Sequence, residues 1–199
     1  MSDIIKVNDR ISYIEASDDP LSADIGIVRC GGENWLYDVG NGEKSISGLD
    51  GCYNVVLSHF HQDHTGNVGR IRVSEIFASA ETCRHIGCGT VVTDELYFGE
   101  LHIFPLPSSH AKGSLGLEVD GAFAFVGDAL YSRVKDGFYI YNAQLLRDEI
   151  KVLKRLRADR LLVSHFKGLI RDKEEAIAEL EEIYGMRNGG DPEITVGIG

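Results

Sequence analysis

Long apolar segments are missing from this sequence, since no run approaches the ~20 residues that a membrane-spanning helix needs. We therefore expect no membrane partner. The first residues, Met1 to Lys6, contain neither a basic leader nor a long apolar core before a small-residue cleavage site. This favours a cytoplasmic protein over an exported one.

Cysteine and basic residues are both scarce. The four cysteines, Cys30, Cys52, Cys83 and Cys88, form no Cys-x-x-Cys pair and no disulfide-like spacing, so we expect free thiols. A second metal site made of Cys83, His85 and Cys88 is an alternative, although its spacing matches no zinc module. The 20 Lys and Arg stand against 31 Asp and Glu, a formal net charge of -11. Such a surface repels polyphosphates, which favours a small-molecule substrate over nucleic acid.

The composition is otherwise that of an ordinary globular protein, with 199 residues of which 43% are hydrophobic and 26% charged. A chain of this length buries about 70% of the surface that it exposes when unfolded. No repeat, linker or low-complexity segment divides it. Residues 1–199 are therefore predicted to form a single domain, and nothing in the composition sets an oligomeric state.

The pattern of apolar and turn-forming residues predicts sheet first and helix later. Short strands over residues 4–7, 11–16, 25–29 and 35–39 are typical of an antiparallel meander. One helix is predicted from Asn142, as its N-cap, to about residue 158, and another after the capping box of Asp172 and Glu175. A helix is also expected to begin within residues 65–71, and the Gly-rich tail from Arg187 is expected to be loose.

The densest chemical signal is the stretch His59-Phe60-His61-Gln62-Asp63-His64, which directly follows the apolar run Val55-Val56-Leu57. Imidazole and carboxylate are ligands that suit zinc, iron or manganese. A loop that leaves a buried strand can aim alternate side chains into one pocket. The stretch therefore predicts a metal site rather than a solvated polar turn.

Further polar residues lie in loops or at strand ends. His110 occupies a loop of small residues, whereas Asp128 and His165 each come at the end of a buried apolar strand. Each alone is an ordinary turn residue or helix cap, but with the opening cluster they complete a nitrogen and oxygen ligand set. Asp38, within Leu-Tyr-Asp-Val-Gly, is either a turn cap or a buried carboxylate that orients a ligand histidine.

The order and context of these motifs resemble the metallo-β-lactamase superfamily. The matching elements are Asp38-x-Gly40, His59-x-His61-x-Asp63-His64, Ser109-His110-x-x-Gly113-Ser114, Gly127-Asp128 and Ser164-His165. The resemblance implies an α/β fold class, a four-layer αβ/βα sandwich in which two mixed sheets lie face to face with helices outside. It also implies that metal ions bind at one edge of the sheets.

By this resemblance the cofactors are two divalent metal ions, most simply Zn2+, with Fe or Mn as alternatives. The ligands of the first ion are His59, His61 and His110, those of the second are Asp63, His64 and His165, and Asp128 bridges the two. The complete set is more similar to glyoxalase II and lactonases than to the true β-lactamases, whose ligand sets lack this bridging aspartate.

The resemblance further implies an enzyme, a hydrolase in which a metal-activated water attacks a small ester, thioester or lactone. Asp63 is implied as a proton carrier as well as a ligand. Tyr131, three residues after Asp128, is interpreted as either a substrate contact or a packing residue at the sheet edge. The alternative function within the same superfamily is a mononuclear iron protein of the sulfur dioxygenase type or another redox protein.

Overall fold

The computed structural model describes residues 3–197, a range that contains 18 strands and four helices. The strands in this range are β1 (Ile4–Lys6), β2 (Ile11–Ile14), β3 (Ser17–Asp18), β4 (Leu21–Ser22), β5 (Ile25–Cys30), β6 (Glu33–Tyr37), β7 (Cys52–Val56), β8 (Arg72–Ala78), β9 (Thr90–Val91), β10 (Leu96–Phe98), β11 (Leu101–Leu106), β12 (Ser114–Val119), β13 (Phe123–Gly127), β14 (Arg133–Lys135), β15 (Phe138–Asn142), β16 (Arg160–Val163), β17 (Ile170–Asp172) and β18 (Glu193–Gly197). The helices are α1 (Gln62–Thr65), α2 (Ala80–Ile86), α3 (Ala143–Arg155) and α4 (Lys173–Gly185).

Two large mixed sheets form the centre of the fold. The first has the strand order β1-β2-β5-β6-β7-β8-β9, antiparallel from β1 to β6 and parallel from β6 to β9. The second has the order β10-β11-β12-β13-β16-β17, with β13 and β16 parallel. Smaller sheets are formed by β14-β15-β18 and by β3-β4. The antiparallel opening of the first sheet confirms the predicted meander.

Aromatic side chains join the two sheets across their inner faces. Tyr37 of β6 stacks on Phe125 of β13 with ring centroids 5.1 Å apart, and its hydroxyl donates to the Leu115 carbonyl at 2.7 Å. Gly26 lies against Phe125, where an added Cβ would overlap the ring. The absence of a side chain therefore permits the close approach, since interiors are packed without spare volume. This contact fixes β6 relative to β13, and both strands lead into the site described below.

Helices cover the outer face of each sheet. Leu146 and Leu153 of α3 and Ile177 of α4 share one buried cluster with Val126 and Leu161 of the second sheet. On the first sheet, side chains of α2 pack against the cluster that includes Leu36, Val55 and Ala78. The predicted four-layer αβ/βα sandwich is thus confirmed. None of the helices within residues 3–197 combines the length and apolar character needed to cross a bilayer.

Both predicted N-caps are present. The Asn142 side chain accepts a hydrogen bond from the Leu145 backbone N–H at 2.9 Å, and Asp172 Oδ1 accepts from the backbone N–H groups of Glu174 and Glu175. Each cap satisfies backbone donors that have no partner within their own helix. The prediction of these helix starts from short local motifs is confirmed.

Two local predictions are wrong. The helix expected within residues 65–71 is absent, because α1 ends at Thr65 and the Asn67 side chain instead holds the next turn by donating to the Val39 carbonyl at 3.0 Å. The tail expected to be loose contains β18, which pairs with β15 in an antiparallel ladder. Ile194 of β18 is buried in the cluster beneath α3 and α4, and this apolar burial holds the tail in place.

We predict that the buried side chain of Glu149 makes the stability of the protein depend on pH. It is only 1% exposed on α3, and its Oε1 atom has no hydrogen-bond partner among the described residues. Burial raises the pKa of Glu149 well above its ordinary value. Between the ordinary pKa and the raised one, folding takes up a proton, so the free energy of unfolding falls as pH rises. We expect Glu149→Gln to stabilise the protein, and more at about pH 8 than at about pH 5.

This expectation is measured by urea unfolding across that pH range. Each pH unit by which the folded-state pKa is raised corresponds to about 1.4 kcal/mol. Glu182→Gln, an exposed substitution of the same kind on α4, serves as the control and should leave the pH profile unchanged. Parallel pH profiles for the wild-type protein and Glu149→Gln would contradict the assignment.

Candidate metal centre

The predicted ligands meet at one edge of the two sheets. The His59 to His64 stretch follows β7, Asp128 follows β13 and His165 follows β16. Strands β13 and β16 are parallel neighbours, as are β6 and β7. The carboxyl ends of parallel strands share an edge, and ligands of α/β proteins bind outside such ends. His110 reaches the same place from the loop between β11 and β12.

Three imidazoles form the first cluster, His59, His61 and His110. His61 Nδ1 lies 2.8 Å from His59 Nε2 and 3.1 Å from His110 Nε2. Burial, followed by the neighbouring imidazoles, lowers the pKa of His59 and of His61. Both rings are therefore held neutral, which is the form of histidine that binds a metal ion.

The second cluster combines carboxylates with imidazoles, namely Asp63, His64, Asp128 and His165. His165 Nε2 lies 3.1 Å from Asp63 Oδ2, and His64 Nε2 lies 3.5 Å from the same oxygen. Within each cluster all ligand atoms lie within 4.8 Å of one another. Ligands of one tetrahedral zinc ion, with bonds of about 2.0–2.1 Å, lie about 3.3 Å apart, so these separations suit a shared cation.

Asp128, a member of the second cluster, also lies beside the first. Its Oδ2 atom is 3.3 Å from His110 Nε2 of the first cluster and 3.9 Å from His165 Nε2 of the second. Its Oδ1 atom is 3.4 Å from His64 Nε2. One carboxylate therefore faces both clusters, and this is the position that the resemblance assigns to a bridging ligand.

Gly127 permits this position of Asp128. Its φ of +56° lies in the left-handed region, and an added Cβ would lie 2.7 Å from the Ser58 Cβ. An L side chain here would be both strained and in collision with the loop after β7. The two ligand-bearing loops can pass this closely because no side chain separates them.

Two buried polar atoms support a cation in the site. Among the described residues, His64 Nε2 and Asp128 Oδ1 have no hydrogen-bond partner. A buried polar atom without a partner costs about 1–3 kcal/mol, and more when it is charged. A divalent cation between them would satisfy both, and a donor set of imidazole nitrogen and carboxylate oxygen suits zinc, iron or manganese. The residues present are consistent with a dinuclear metal site.

Asp38 orients His64 from the interior. It is 0% exposed, and its Oδ2 atom accepts from His64 Nδ1–H and from the Ser58 hydroxyl, each at 2.7 Å. Its Oδ1 atom accepts the Ser58 backbone N–H at 2.7 Å. With Nδ1 donating to Asp38, the Nε2 lone pair of His64 faces the second cluster. Of the two roles that the sequence left open for Asp38, the structure shows the orienting one.

The charge around His64 also favours a cation. Burial alone would lower the pKa of His64, but Asp38 and Asp128 outweigh it and raise this pKa well above its ordinary value. The two carboxylates thus draw positive charge to this position. A metal ion at Nε2 can supply the charge that a second proton would otherwise bring.

Asp24, which the sequence did not single out, positions one of the predicted ligands. It is buried, and its Oδ2 atom accepts the backbone N–H of His165 at 2.9 Å while Oδ1 accepts that of Ala16 at 3.1 Å. His165 has a φ of 61°, which L residues rarely adopt. The Asp24 carboxylate helps to hold this conformation, from which the His165 side chain reaches the second cluster. The two residues are 141 positions apart, and no local motif links them.

Tyr131 lies beside the same loop. Its hydroxyl donates to the Ser164 carbonyl at 3.0 Å, and the ring packs against the cluster beneath α3 and α4. Burial, aided by the nearby Asp128, raises the pKa of Tyr131 to about 12. The phenol is therefore protonated at neutral pH and able to donate. Its role as a substrate contact stays a prediction.

Comparison with known proteins identifies the fold. No protein-family model matches the chain, and no curated protein does. The DIM-1 metallo-β-lactamase has a TM-score of 0.70 at 16% identity, covering 91% of this chain and 97% of that one. An archaeal metallo-β-lactamase superfamily protein from Sulfolobus tokodaii has a TM-score of 0.61 at 17% identity, covering 96% and 91%.

A mutant of the flavo di-iron protein from Thermotoga maritima is also similar, with a TM-score of 0.67 at 16% identity over 96% of this chain and 64% of that one. Such identities establish architecture and not activity. The chain therefore has the metallo-β-lactamase fold, with two His and Asp clusters at one edge that are consistent with a dinuclear metal site.

Proposed function

We propose that this protein is a metal-dependent hydrolase of a small ester, thioester or lactone. The observation that supports this best is the position of Asp128, whose two oxygens face both ligand clusters. Asp128 would then be a ligand of both cations, which together would stabilise the negative charge that develops on one reacting group. An arrangement of this kind suits attack of water on one carbonyl carbon.

The chain's own residues supply positioning and proton transfer. Divalent cations bound here would contribute Lewis-acid stabilisation of negative charge and lower the pKa of a water molecule toward neutrality. Asp63 faces the site with Oδ2 3.1 Å from His165 Nε2. Burial would raise the pKa of Asp63, but the hydrogen bond from His165 and the charge of His64 lower it. An ionised Asp63 can accept a proton at Oδ2 and pass it to the leaving group.

The metal and the substrate class follow from the same donors and from the surface charge. We propose zinc in both clusters, because hydrolytic zinc sites use imidazole and carboxylate ligands. The net charge of -11 supports a small-molecule substrate rather than nucleic acid. Asp128 as a shared ligand supports an activity closer to that of glyoxalase II and lactonases than to β-lactam hydrolysis. We also propose that the protein is cytoplasmic.

A substrate screen with metal analysis tests the proposal. Metals in the purified protein are quantified, and hydrolysis of thioesters, lactones, phosphodiesters and β-lactams is measured together with oxygen uptake. Two zinc ions per chain and hydrolysis of an ester, thioester or lactone are expected. A single iron ion with oxygen consumption would instead support the redox alternative, and turnover of β-lactams alone would overturn the proposed substrate class.

Tyr131→Phe tests the proposed substrate contact. Loss of one oxyanion donor lowers the rate by about 10²-fold or more, so kcat/KM should fall while metal content stays the same. The hydroxyl has one proton and donates it to the Ser164 carbonyl, so a contact with substrate requires the O–H to turn away from that carbonyl. Removing the hydroxyl should also lower the free energy of unfolding by about 1 kcal/mol. Tyr139→Phe, on an exposed ring of β15, is the control. Unchanged kcat/KM with reduced stability would assign Tyr131 to packing.

A further inference from the structure

A cavity of about 380 Å³ adjoins the candidate metal centre. It lies between the loop that joins β11 to β12 and the first turn of α3. His110 belongs both to the wall of this cavity and to the first ligand cluster. A molecule in the cavity would therefore lie against one of the predicted metal ligands.

The wall of the cavity is mainly apolar. Pro105, Leu106, Pro107 and Ala111 contribute to it from the loop and its flanking strand, and Leu145 contributes from α3. Leu145 is 38% exposed. Full burial of a leucine side chain would stabilise the folded protein by about 1.5–3 kcal/mol relative to full exposure. An apolar surface left open beside a polar site is a feature of ligand pockets, in which a few polar groups adjoin hydrophobic walls.

Charged groups hardly contribute to this wall. Among the residues that line the cavity, His110 and Lys112 alone are ionisable. The Lys112 side chain is largely exposed and pairs with Glu81 at 3.6 Å. The interior of the cavity thus offers little to a charged or strongly polar group, which would lose its hydration there without compensation.

Hydrogen bonds hold the loop in place. The His110 backbone N–H donates to Ser108 Oγ at 3.0 Å, and the Ser108 hydroxyl donates to the Ala129 carbonyl at 2.9 Å. The Asn142 backbone N–H donates to Ser109 Oγ at 2.9 Å, which joins the loop to the start of α3. The cavity is therefore preformed, and a ligand does not have to order the loop in order to bind.

We propose that this cavity receives the apolar acyl chain of the substrate while the carbonyl group lies at the metal centre. The inference rests on the proposed hydrolase function. Water adds to the carbonyl carbon, the bond to the ester oxygen or thioester sulfur breaks, and the products are the carboxylic acid and the protonated alcohol or thiol. Small-molecule sites measure about 300–1,000 Å³, so a cavity of about 380 Å³ is large enough for an acyl chain of hexanoyl size.

Chain-length dependence of hydrolysis tests the inference. The nitrophenyl esters of acetate, butyrate and hexanoate share one leaving group, so differences in kcat/KM report on the acyl chain. Each methylene that becomes buried should raise kcat/KM about fourfold. In Leu145→Asp, a carboxylate in the wall should abolish the rise from acetate to hexanoate. Met186→Asp, on a 49% exposed side chain at the end of α4, should preserve it.

Two results would overturn the inference while leaving the proposed function intact. One is hydrolysis that does not depend on chain length. The other is a chain-length dependence that Leu145→Asp leaves unchanged. Either result would show that the acyl chain lies outside this cavity.

Calorimetry gives a readout that does not depend on turnover. Hexanoate should bind the metal-loaded protein about 16-fold more tightly than butyrate, which corresponds to two buried methylenes, and Leu145→Asp should remove this difference. If hexanoate shows this preference but no ester, thioester or lactone is hydrolysed, the cavity holds an apolar chain and the proposed function is wrong. If hydrolysis is observed but the two acids bind equally, the cavity inference is wrong.

Discussion

Asp128→Ala is expected to lose both metal ions and to lower hydrolytic activity by about 10³-fold or more, since metal ions contribute several kcal/mol of transition-state stabilisation. The physical reason is that one carboxylate faces both clusters, with oxygens 3.3 Å from His110 Nε2 and 3.4 Å from His64 Nε2. Removing it leaves each cluster with one anionic ligand fewer. Five imidazoles and a single carboxylate, Asp63, would then have to hold two divalent cations.

Metal analysis after dialysis, followed by kinetic measurement, checks this expectation. Asp128→Asn is a second variant, because its amide retains the shape of the side chain but lacks the negative charge. Asp191→Ala changes an exposed aspartate of the C-terminal segment and is the control. If Asp128→Ala kept two tightly bound metal ions and full activity, the assignment of Asp128 as the bridging ligand would be wrong.

Asp38→Asn is expected to destabilise the protein by about 3–5 kcal/mol, the typical cost of breaking a buried charge pair. The Asp38 carboxylate accepts three hydrogen bonds, two from Ser58 and one from His64. An asparagine amide would direct an N–H group at one of these donors. We also expect metal affinity to fall about 10- to 100-fold, as it does when the partner of a ligand histidine is removed.

Urea unfolding of the metal-free protein and titration with zinc separate these two effects. Asp136→Asn is a matched control, because Asp136 also has a positive φ, 51° against 61° for Asp38, but is exposed in a turn. Ser58→Ala removes the hydroxyl donor alone and should lower the free energy of unfolding by about 1 kcal/mol. Wild-type zinc affinity in Asp38→Asn would show that Asp38 has only a structural role.

The ligand-bearing segment after β7 is determined by local sequence, whereas the fold class was implied by the resemblance of the motifs to a known superfamily. His59, His61, Asp63 and His64 lie within six residues that follow an apolar strand, the last two in the short helix α1, so their proximity requires no knowledge of the rest of the chain. The alternation of apolar and turn residues likewise places the strands, and Asn142 places the start of α3, because caps and strand periodicity act over a few residues.

The residues that aim the ligands are decided by the tertiary structure. Asp24 holds the His165 backbone, and Asp38 holds the His64 ring, although neither pair is linked by a local motif. The pairing of β18 with β15, and the cavity between Leu145 and the loop of His110, likewise arise from packing between distant segments. Residue types along the chain indicate which groups can bind a metal ion. Which carboxylate reaches which imidazole depends on how the two sheets pack, because a hydrogen bond forms only between groups brought within about 3 Å.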